Sequence, residues 1–211
     1  MATKERLAKI RKILRRTYPD VKTQLDHANA FQLLIATILS AQCTDRQVNR
    51  VTGPLFRAYG TPEQLAAAPL RQIENLIRST GFFRNKARNI KRCARALVDT
   101  NGGEVPADLQ TLTGLPGVGR KTANVVLGAA FGIPGVVVDT HVARIAGRLG
   151  LTTHTDAVKI EFDLMDLVPR REWNDFGLRL IYFGRETCAA RKPKCPSCPI
   201  RRHCPWPDKT G

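Results

Sequence analysis

The stretch from Thr111 to Ala123 constrains the fold of this chain more than any other. It reads T-L-T-G-L-P-G-V-G-R-K-T-A, so that a proline and two glycines separate two helix-forming segments. Gly117 and Gly119 have no side chains, which allows positive φ angles and the close approach of another backbone. The stretch therefore predicts a hairpin between two helices. The expected buried anchors of its turn are Leu112, Leu115 and Val118.

The predicted hairpin has the properties of an anion site. An apolar, alanine-rich helix is expected from Thr122 to Phe131. The N–H groups of Gly117, Val118 and Gly119 should project unpaired from its N-terminus, where the helix dipole is positive. Such a hairpin is suited to hold one DNA phosphate, although glycine-rich turns before helices also serve purely structural purposes.

Two cations, Arg120 and Lys121, follow the glycines directly. In the first turn of a helix they oppose the macrodipole, at a cost of roughly 0.3 to 1 kcal/mol each. Their placement therefore favours a role other than helix stability. The same positive field favours the neutral amine of Lys121, which is the form that a nucleophilic lysine needs.

The charge of the chain points to an extended anionic partner. Lysine and arginine outnumber aspartate and glutamate by 34 to 18, which gives a formal net charge of +16. Nucleic acid fits this charge better than a membrane does, and a merely basic, solvated surface is the alternative. No segment has the roughly 18 to 20 consecutive apolar residues of a membrane span. The charged start is unlike a signal peptide, so we expect a bacterial-type cytoplasmic protein associated with the nucleoid.

Apolar residues recur at helical spacing along most of the remaining sequence. Asn29 and the pair Thr61-Pro62 have the form of helix starts. Thr155 is expected to cap a helix that begins at Asp156, and a short extended apolar segment is expected at 136–138. Nearly all of the chain is thus predicted to be helical. Besides the helix after the hairpin, the main predicted helices cover about residues 4–18, 30–41, 45–59, 70–79, 86–98 and 173–187.

Phe82 and Phe83 are adjacent phenylalanines in a predicted break between helices. Cations rim this break at Arg84, Lys86 and Arg88. The two rings are either core anchors or an exposed wedge that can enter a base stack.

Asp139 is expected at the N-terminus of a helix whose apolar positions are Val142, Ile145, Ala146 and Leu149. Helix capping alone explains an aspartate at such a position in most proteins. An aspartate held there stays ionised, however, and is also able to act opposite an amine in a cleft.

Four of the six cysteines form the pattern Cys188-x6-Cys195-x2-Cys198-x5-Cys204. Disulfides are not expected in a reducing cytoplasm, so the pattern predicts a metal site. Structural zinc usually takes two close pairs of ligands, whereas an iron-sulfur cubane accepts uneven spacing. His203 is an alternative ligand. Cations such as Arg191, Lys192 and Lys194 are interspersed with these cysteines and can offset an anionic cluster or contact phosphates. The other two cysteines, Cys43 and Cys93, are expected to be small core residues.

Four segments, in this order, resemble the endonuclease III family of base-excision DNA glycosylases, within the helix-hairpin-helix superfamily. The first three are L-S-A-Q-C-T-D at 39–45, L-P-G-V-G-R-K-T-A-N-V-V at 115–126 and V-D-T-H-V at 138–142, and the fourth is the four-cysteine pattern. The resemblance implies an all-α, two-lobed fold. A six-helix lobe would span 23–134, and 1–22 would join 135–211 around a four-iron four-sulfur cluster held by the four cysteines. DNA would lie between the lobes.

The resemblance also implies a bifunctional glycosylase and abasic-site lyase that acts, as a monomer, on oxidised pyrimidines in double-stranded DNA. Lys121 would attack the sugar of a flipped nucleotide and form a Schiff base, which permits β-elimination, and Asp139 would assist. Gln42 would enter the vacated stack, and Phe82 stands where relatives often have an aliphatic wedge. The expected DNA contacts are Gln42, Phe82, Phe83, Arg84, Gly117, Val118, Gly119, Arg120, His141, Arg191, Lys192 and Lys194.

Two other functions are compatible with parts of this pattern. A mismatch adenine glycosylase also has the hairpin and the cluster, but it lacks a lysine at the position of Lys121. A non-catalytic DNA-binding module would use the hairpin and the basic surface only to hold phosphates.

Overall fold

The computed structural model describes residues 3 to 210 and is all-helical. In that range the chain forms eleven α-helices and three short 3-10 turns, with no strand. The all-α prediction is therefore confirmed. None of the described helices is long and apolar enough to cross a membrane.

The chain divides into two compact units. Thr23–Ile133 form one unit, which we call the hairpin unit. Met1–Lys22 and Pro134–Gly211 form the other, which we call the cysteine unit. Each unit has its own hydrophobic core.

The hairpin unit is built around α2, a helix that is buried on nearly every side. Phe31, Leu33 and Leu39 are among its buried residues, so packing rather than helix propensity stabilises it. The helices of this unit are α2 (Ala30–Leu39), α3 (Asp45–Ala58), α4 (Pro62–Ala67), α5 (Leu70–Leu76), α6 (Phe83–Asn101), α7 (Leu109–Gly114) and α8 (Arg120–Phe131).

Side-chain caps fix where several of these helices begin. Asn29 accepts a hydrogen bond from the N–H of Gln32. Thr61 and Gln64 form a reciprocal capping box, with Pro62 in the first turn. Both predicted helix starts are confirmed, because capping is a local property that the sequence displays directly.

The cysteine unit joins the first helix of the chain to the last ones. Its helices are α1 (Thr3–Thr17), α9 (Thr140–Arg148), α10 (Ala157–Leu167) and α11 (Trp173–Glu186). Leu7, Ile10 and Leu14 of α1 are buried in the core of this unit. Arg179 of α11 donates to the carbonyl oxygen of Tyr18, which fixes the end of α1 against α11.

One predicted cap lies one residue too early. Asp156, not Thr155, caps α10, because Oδ1 of Asp156 accepts hydrogen bonds from the N–H groups of Val158 and Lys159. Threonine and aspartate are both good caps. Local sequence therefore does not choose between two adjacent candidates.

Candidate active site and nucleic-acid interface

The hairpin between α7 and α8 has the buried anchors that the sequence predicts. Leu112, Leu115 and Val118 are all buried in the core of the hairpin unit. The turn closes with a hydrogen bond of 3.1 Å from the N–H of Val118 to the carbonyl oxygen of Leu115. The prediction that Val118 keeps an unpaired N–H is therefore wrong, because this donor is consumed by the turn itself.

Position 117 requires a glycine for two separate reasons. Its φ angle is +80°, and a Cβ atom there would lie 2.9 Å from Cβ of Asn89 on α6. The hairpin is thus packed directly against α6, at a distance that only a glycine permits.

The N-terminus of α8 remains open to an anion. Within residues 3–210, the N–H groups of Gly117 and Gly119 have no hydrogen-bond partner. Gly119 is the N-cap residue and has no side chain with which to cap the helix. Phosphate binds at helix N-termini because free backbone N–H groups and the positive end of the helix dipole meet there.

Lys121 lies on the first turn of α8 and is exposed. In the described part of the chain its side chain has no hydrogen bond or ion pair. The neighbouring Ala123 and Asn124 are buried, so the helix is fixed in the core while the Lys121 amine is free to meet a substrate.

Gln42 lies in the turn between α2 and α3. It is exposed and has a left-handed backbone, with a φ angle of 52°. The next residue, Cys43, donates its N–H to the carbonyl oxygen of Ser40 at 3.0 Å and packs against the core of the hairpin unit. The turn therefore holds Gln42 outward.

The adjacent phenylalanines have different environments. Phe82 is 67% exposed and has a φ angle of 47°. Phe83 packs against the core of the hairpin unit, and the guanidinium group of Arg84 lies 5.5 Å from the centre of its ring. Phe83 is thus the core anchor, and Phe82 is the exposed candidate for the wedge.

Lys86 is a residue whose position the sequence did not reveal. It is only 5% exposed, rather than a cation on the rim of the turn. Its Nζ donates to the carbonyl oxygen of Thr80 at 2.8 Å. Burial lowers the pKa of Lys86, and a Coulombic interaction with Cys43 partly offsets this effect.

Asp139, in the cysteine unit, is the N-cap of α9. Its Oδ1 accepts hydrogen bonds of 2.8 Å from the N–H groups of both His141 and Val142. The second carboxylate oxygen accepts none from the described residues. The predicted capping is confirmed, and it leaves one oxygen of a well-held carboxylate available.

Arg144 connects the helix of Asp139 to the cysteine segment. Its Nη2 donates to the carbonyl oxygens of Gly184 and Cys188 at 3.1 and 3.0 Å. It also lies 3.2 Å from Nδ1 of His141, whose half-buried ring packs closely against Gly184. His141 is therefore part of the packing between α9 and α11.

The four cysteines Cys188, Cys195, Cys198 and Cys204 line a single pocket. None of them forms a disulfide. Burial raises the pKa of the Cys198 thiol, a hydrogen bond with the backbone of Ile200 opposes this rise, and interactions with the other three cysteines add to it. Among residues 3–210, no three His, Cys, Asp or Glu side chains are close enough to hold one metal ion.

Arg148, at the end of α9, also contacts this segment. It donates to the carbonyl oxygens of Ala189 and Ala190 at 2.8 and 3.1 Å. The sequence did not predict this contact, since an arginine in the last turn of a helix is common for electrostatic reasons alone.

The cations between the cysteines are on the surface. Arg191, Lys192 and Lys194 are all exposed, and Lys192 has a φ angle of 48°. The backbone N–H of Lys194 donates to the carbonyl oxygen of Thr187 at 2.9 Å. The segment therefore presents positive charge from a backbone that is tied to the end of α11.

The chain is similar to known proteins along nearly its whole length. Residues 35–170 match the family of HhH-GPD superfamily base excision DNA repair proteins. Endonuclease III of Synechocystis sp. is 53% identical over 203 residues, which cover 96% of this chain and 93% of the relative. Endonuclease III of Bacillus subtilis is 47% identical over 188 residues, which cover 89% and 86%.

A solved structure of a trapped endonuclease III–DNA covalent intermediate has the same fold. It is 48% identical, covers 97% of both chains and superposes with a TM-score of 0.93. The chain thus combines an open helix N-terminus, a free lysine on the first turn of that helix and a four-cysteine pocket. It belongs to the endonuclease III family of the HhH-GPD superfamily.

Proposed function

We propose that this chain removes oxidised pyrimidines from double-stranded DNA, with Lys121 as the nucleophile and Asp139 as the assisting carboxylate. As an endonuclease III, the chain is a DNA glycosylase and abasic-site lyase of base excision repair.

The observation that carries the assignment of Lys121 is its free, exposed amine on the first turn of α8. The related endonuclease III was trapped as a covalent intermediate with DNA, and a covalent intermediate requires a nucleophile on the protein. An amine is the nucleophile that forms a Schiff base with a sugar aldehyde. Lys121 supplies one beside the open, anion-binding turn of the hairpin.

The proposed reaction has two stages. The neutral Nζ of Lys121 attacks the anomeric carbon, and the bond to the damaged base breaks, with its electron pair leaving on the base. Opening of the sugar ring gives a protonated Schiff base. Loss of a proton from the adjacent sugar carbon then breaks the carbon–oxygen bond on the 3′ side and expels the phosphate. Hydrolysis of the Schiff base frees Lys121.

Asp139 is suited to assist the first stage. Two N–H groups at the start of α9 fix one of its oxygens, so the carboxylate is preorganised before the substrate binds. Positive charge develops on the sugar as the base leaves, and the second oxygen would stabilise that charge. It would also accept a proton from the attacking amine.

The damaged nucleotide must leave the base stack before its sugar is accessible. We propose that Gln42 and Phe82 fill the vacated space, because both side chains are exposed on tight turns of the hairpin unit. Phe83 supports this arrangement from the core rather than entering the DNA.

DNA phosphates are proposed to bind at two groups of donors. The first is the open N-terminus of α8, with the N–H groups of Gly117 and Gly119 and the side chain of Arg120. The second group consists of cations and polar side chains elsewhere on the chain. Its members are Arg84, His141, Arg191, Lys192 and Lys194.

The four cysteines fit a four-iron four-sulfur cluster. Their thiols line one pocket, yet no three of them converge as the ligands of one zinc ion do. A cubane holds its cysteine ligands further apart than one zinc ion does. When bound, the cluster would cross-link four points of the segment from Cys188 to Cys204, which carries the exposed cations.

Borohydride trapping tests the proposed function. The substrates are a duplex with one thymine glycol and a duplex with one abasic site, and the proteins are wild type, Lys121→Ala and, as a control at another exposed lysine, Lys159→Ala. We expect wild type and Lys159→Ala to form a covalent adduct on both duplexes and Lys121→Ala to form none. An adduct that persists in Lys121→Ala would refute the nucleophile. Trapping on the abasic duplex alone would refute the lesion class.

We also propose that the chain acts as a monomer on the bacterial nucleoid. The net charge of +16 provides attraction to DNA without a partner subunit. Light scattering on the chain bound to a short duplex should give the mass of one chain and one duplex.

A further inference from the structure

Two turns of the hairpin unit hold a non-glycine residue in the left-handed backbone region. These residues are Gln42, with a φ angle of 52°, and Phe82, with a φ angle of 47°. This conformation costs a residue other than glycine roughly 1 to 2 kcal/mol. It persists only where the surrounding structure determines the backbone, so each turn must be held by its neighbours.

The buried side chain of Lys86 holds the turn of Phe82 from the interior. Its Nζ donates to the carbonyl oxygen of Thr80, two residues before Phe82. A single side chain on α6 is thus linked to this turn.

Thr80 itself is fixed in the fold. It is 2% exposed, and its hydroxyl donates to the carbonyl oxygen of Ile77 at 2.8 Å. A hydrogen bond from Lys86 to such a residue is a link to a rigid point. Loss of the ammonium group would leave the buried Thr80 carbonyl without this donor.

A second contact joins the same two regions. Nε2 of Gln47, on the first turn of α3, donates to Oγ of Ser79 at 2.6 Å. Thr44, two residues after Gln42, in turn caps the N–H of Gln47. Gln47 therefore connects the two turns on the surface, and Lys86 holds the turn of Phe82 from the interior.

We propose that Lys86 is a positioning residue for nucleotide flipping, because its buried ammonium group fixes the turn of Phe82, which Gln47 joins to the turn of Gln42. The two side chains then enter the base stack as one preorganised unit. This inference rests on the proposed excision of a flipped nucleotide. Burying an ammonium group is costly, and an apolar side chain could pack there without that cost but could not bind the Thr80 carbonyl.

The chain provides a matched control in Lys91, on the same helix. Its Nζ also donates to a backbone carbonyl oxygen, that of Ala68, and its side chain is half-buried. Among residues 3–210, the Lys91 side chain has no hydrogen bond to the turn of Gln42 or to that of Phe82. The variants Lys86→Met and Lys91→Met therefore remove the same kind of interaction at different places.

The test compares two reactions of the full-length protein with its metal bound. Single-turnover release of thymine glycol from a duplex requires the stack to open, whereas borohydride trapping on single-stranded abasic DNA does not. We expect Lys86→Met to slow the duplex reaction roughly tenfold or more relative to Lys91→Met. Its trapping rate on single-stranded DNA should remain within about twofold of wild type.

Two results would overturn the inference while leaving the proposed function intact. One is equal duplex rates for Lys86→Met and Lys91→Met, and the other is an equal loss by Lys86→Met in both reactions. Should Lys86→Met not fold, Lys86→Arg replaces it. Arginine can donate to the same carbonyl, so the same selective pattern in a milder form supports the inference, and a parallel loss in both reactions overturns it. Failure of wild type on both substrates would refute the proposed function together with this inference.

Discussion

Nη1 of Arg148 donates a hydrogen bond of 3.2 Å to Sγ of Cys188, the first of the four cysteines. The same guanidinium group lies 3.9 Å from the centre of the Trp206 ring, beyond the last cysteine. One side chain of α9 thus contacts both ends of the cysteine segment. Hydrogen bonds to sulfur and the shielding of a cluster from solvent both affect how firmly it is held.

We predict that Arg148→Met shortens the lifetime of the metal site. The hydrogen bonds to the segment are lost, and methionine cannot replace the cation–π contact with Trp206. The absorbance near 400 nm and the iron content per chain, followed during exposure to air, should both decline several-fold faster than in wild type. Arg202→Met is the matched control, since Arg202 is exposed in the same segment. Equal decay in the two variants would contradict the prediction.

Asp139 and Asp156 allow capping to be separated from catalysis. Both are N-caps in which Oδ1 accepts two backbone hydrogen bonds, and asparagine can make the same bonds. We predict that Asp139→Asn and Asp156→Asn keep nearly the thermal stability of wild type. Only Asp139→Asn should lose excision, by about 100-fold or more if the carboxylate assists the proton transfer.

The two alanine variants complete this comparison. Asp139→Ala and Asp156→Ala should each lose about 1 kcal/mol of stability, measured by chemical denaturation. A rate of Asp139→Asn within a factor of two of wild type would mean that Asp139 only caps its helix.

Gly117→Ala should damage the hairpin in two ways. The new Cβ would lie 2.9 Å from Cβ of Asn89, and the φ angle of +80° is unfavourable for alanine. We expect a loss of about 1 to 3 kcal/mol of stability together with weaker duplex binding. Gly114→Ala is the control, because a Cβ atom there meets nothing within 4 Å. A Gly117→Ala protein as stable as Gly114→Ala would show that the hairpin adapts.

The ion pair of Glu172 and Arg11 makes the stability of the cysteine unit depend on pH. Hydrogen bonds from Arg11, of 2.9 and 2.7 Å, hold the pKa of Glu172 below its ordinary value of 4.5. Because the pKa is lower in the folded state, the pair stabilises the protein fully above about pH 4.5. This contribution is lost as the pH falls through the lower, folded-state value.

Glu172→Gln should therefore destabilise the protein by about 1 to 2 kcal/mol at pH 7. The difference from wild type should shrink as the pH is lowered toward 3. Glu104→Gln, at an exposed position, should change stability little at any pH. Urea denaturation at several pH values measures both effects, and a difference that grows on acidification would contradict the assignment.

Several features of the site could be predicted because they depend on neighbours in sequence. The caps at Asn29, Thr61 and Asp139 are of this kind. So are the buried anchors of the hairpin, since the spacing of the leucines and valine about the glycines indicates which side faces inward. The burial of Cys93 in the core was also predicted, and this burial raises the pKa of Cys93 to about 12. Cys43 is only half-buried and packs against that core.

Other features depend on residues that are distant in sequence. A run of cations on α6 suggests a solvated face, and only the position of the Thr80 carbonyl makes Lys86 a buried donor. The same holds for Arg148, whose partners lie about forty residues further along the chain. The adjacent Phe82 and Phe83 are equivalent by composition, and only the backbone angles of the turn separate them.

The cysteine unit is built from two segments that lie far apart in the sequence, and this affects the order in which the chain folds. Arg11 and Glu172 are separated by 161 positions, as are Tyr18 and Arg179. During synthesis the hairpin unit is complete while the segment of α1 still lacks its contacts with Glu172 and Arg179. Contacts so distant along the chain form slowly. The basic surface of α1 is therefore free to meet polyanions before these contacts form.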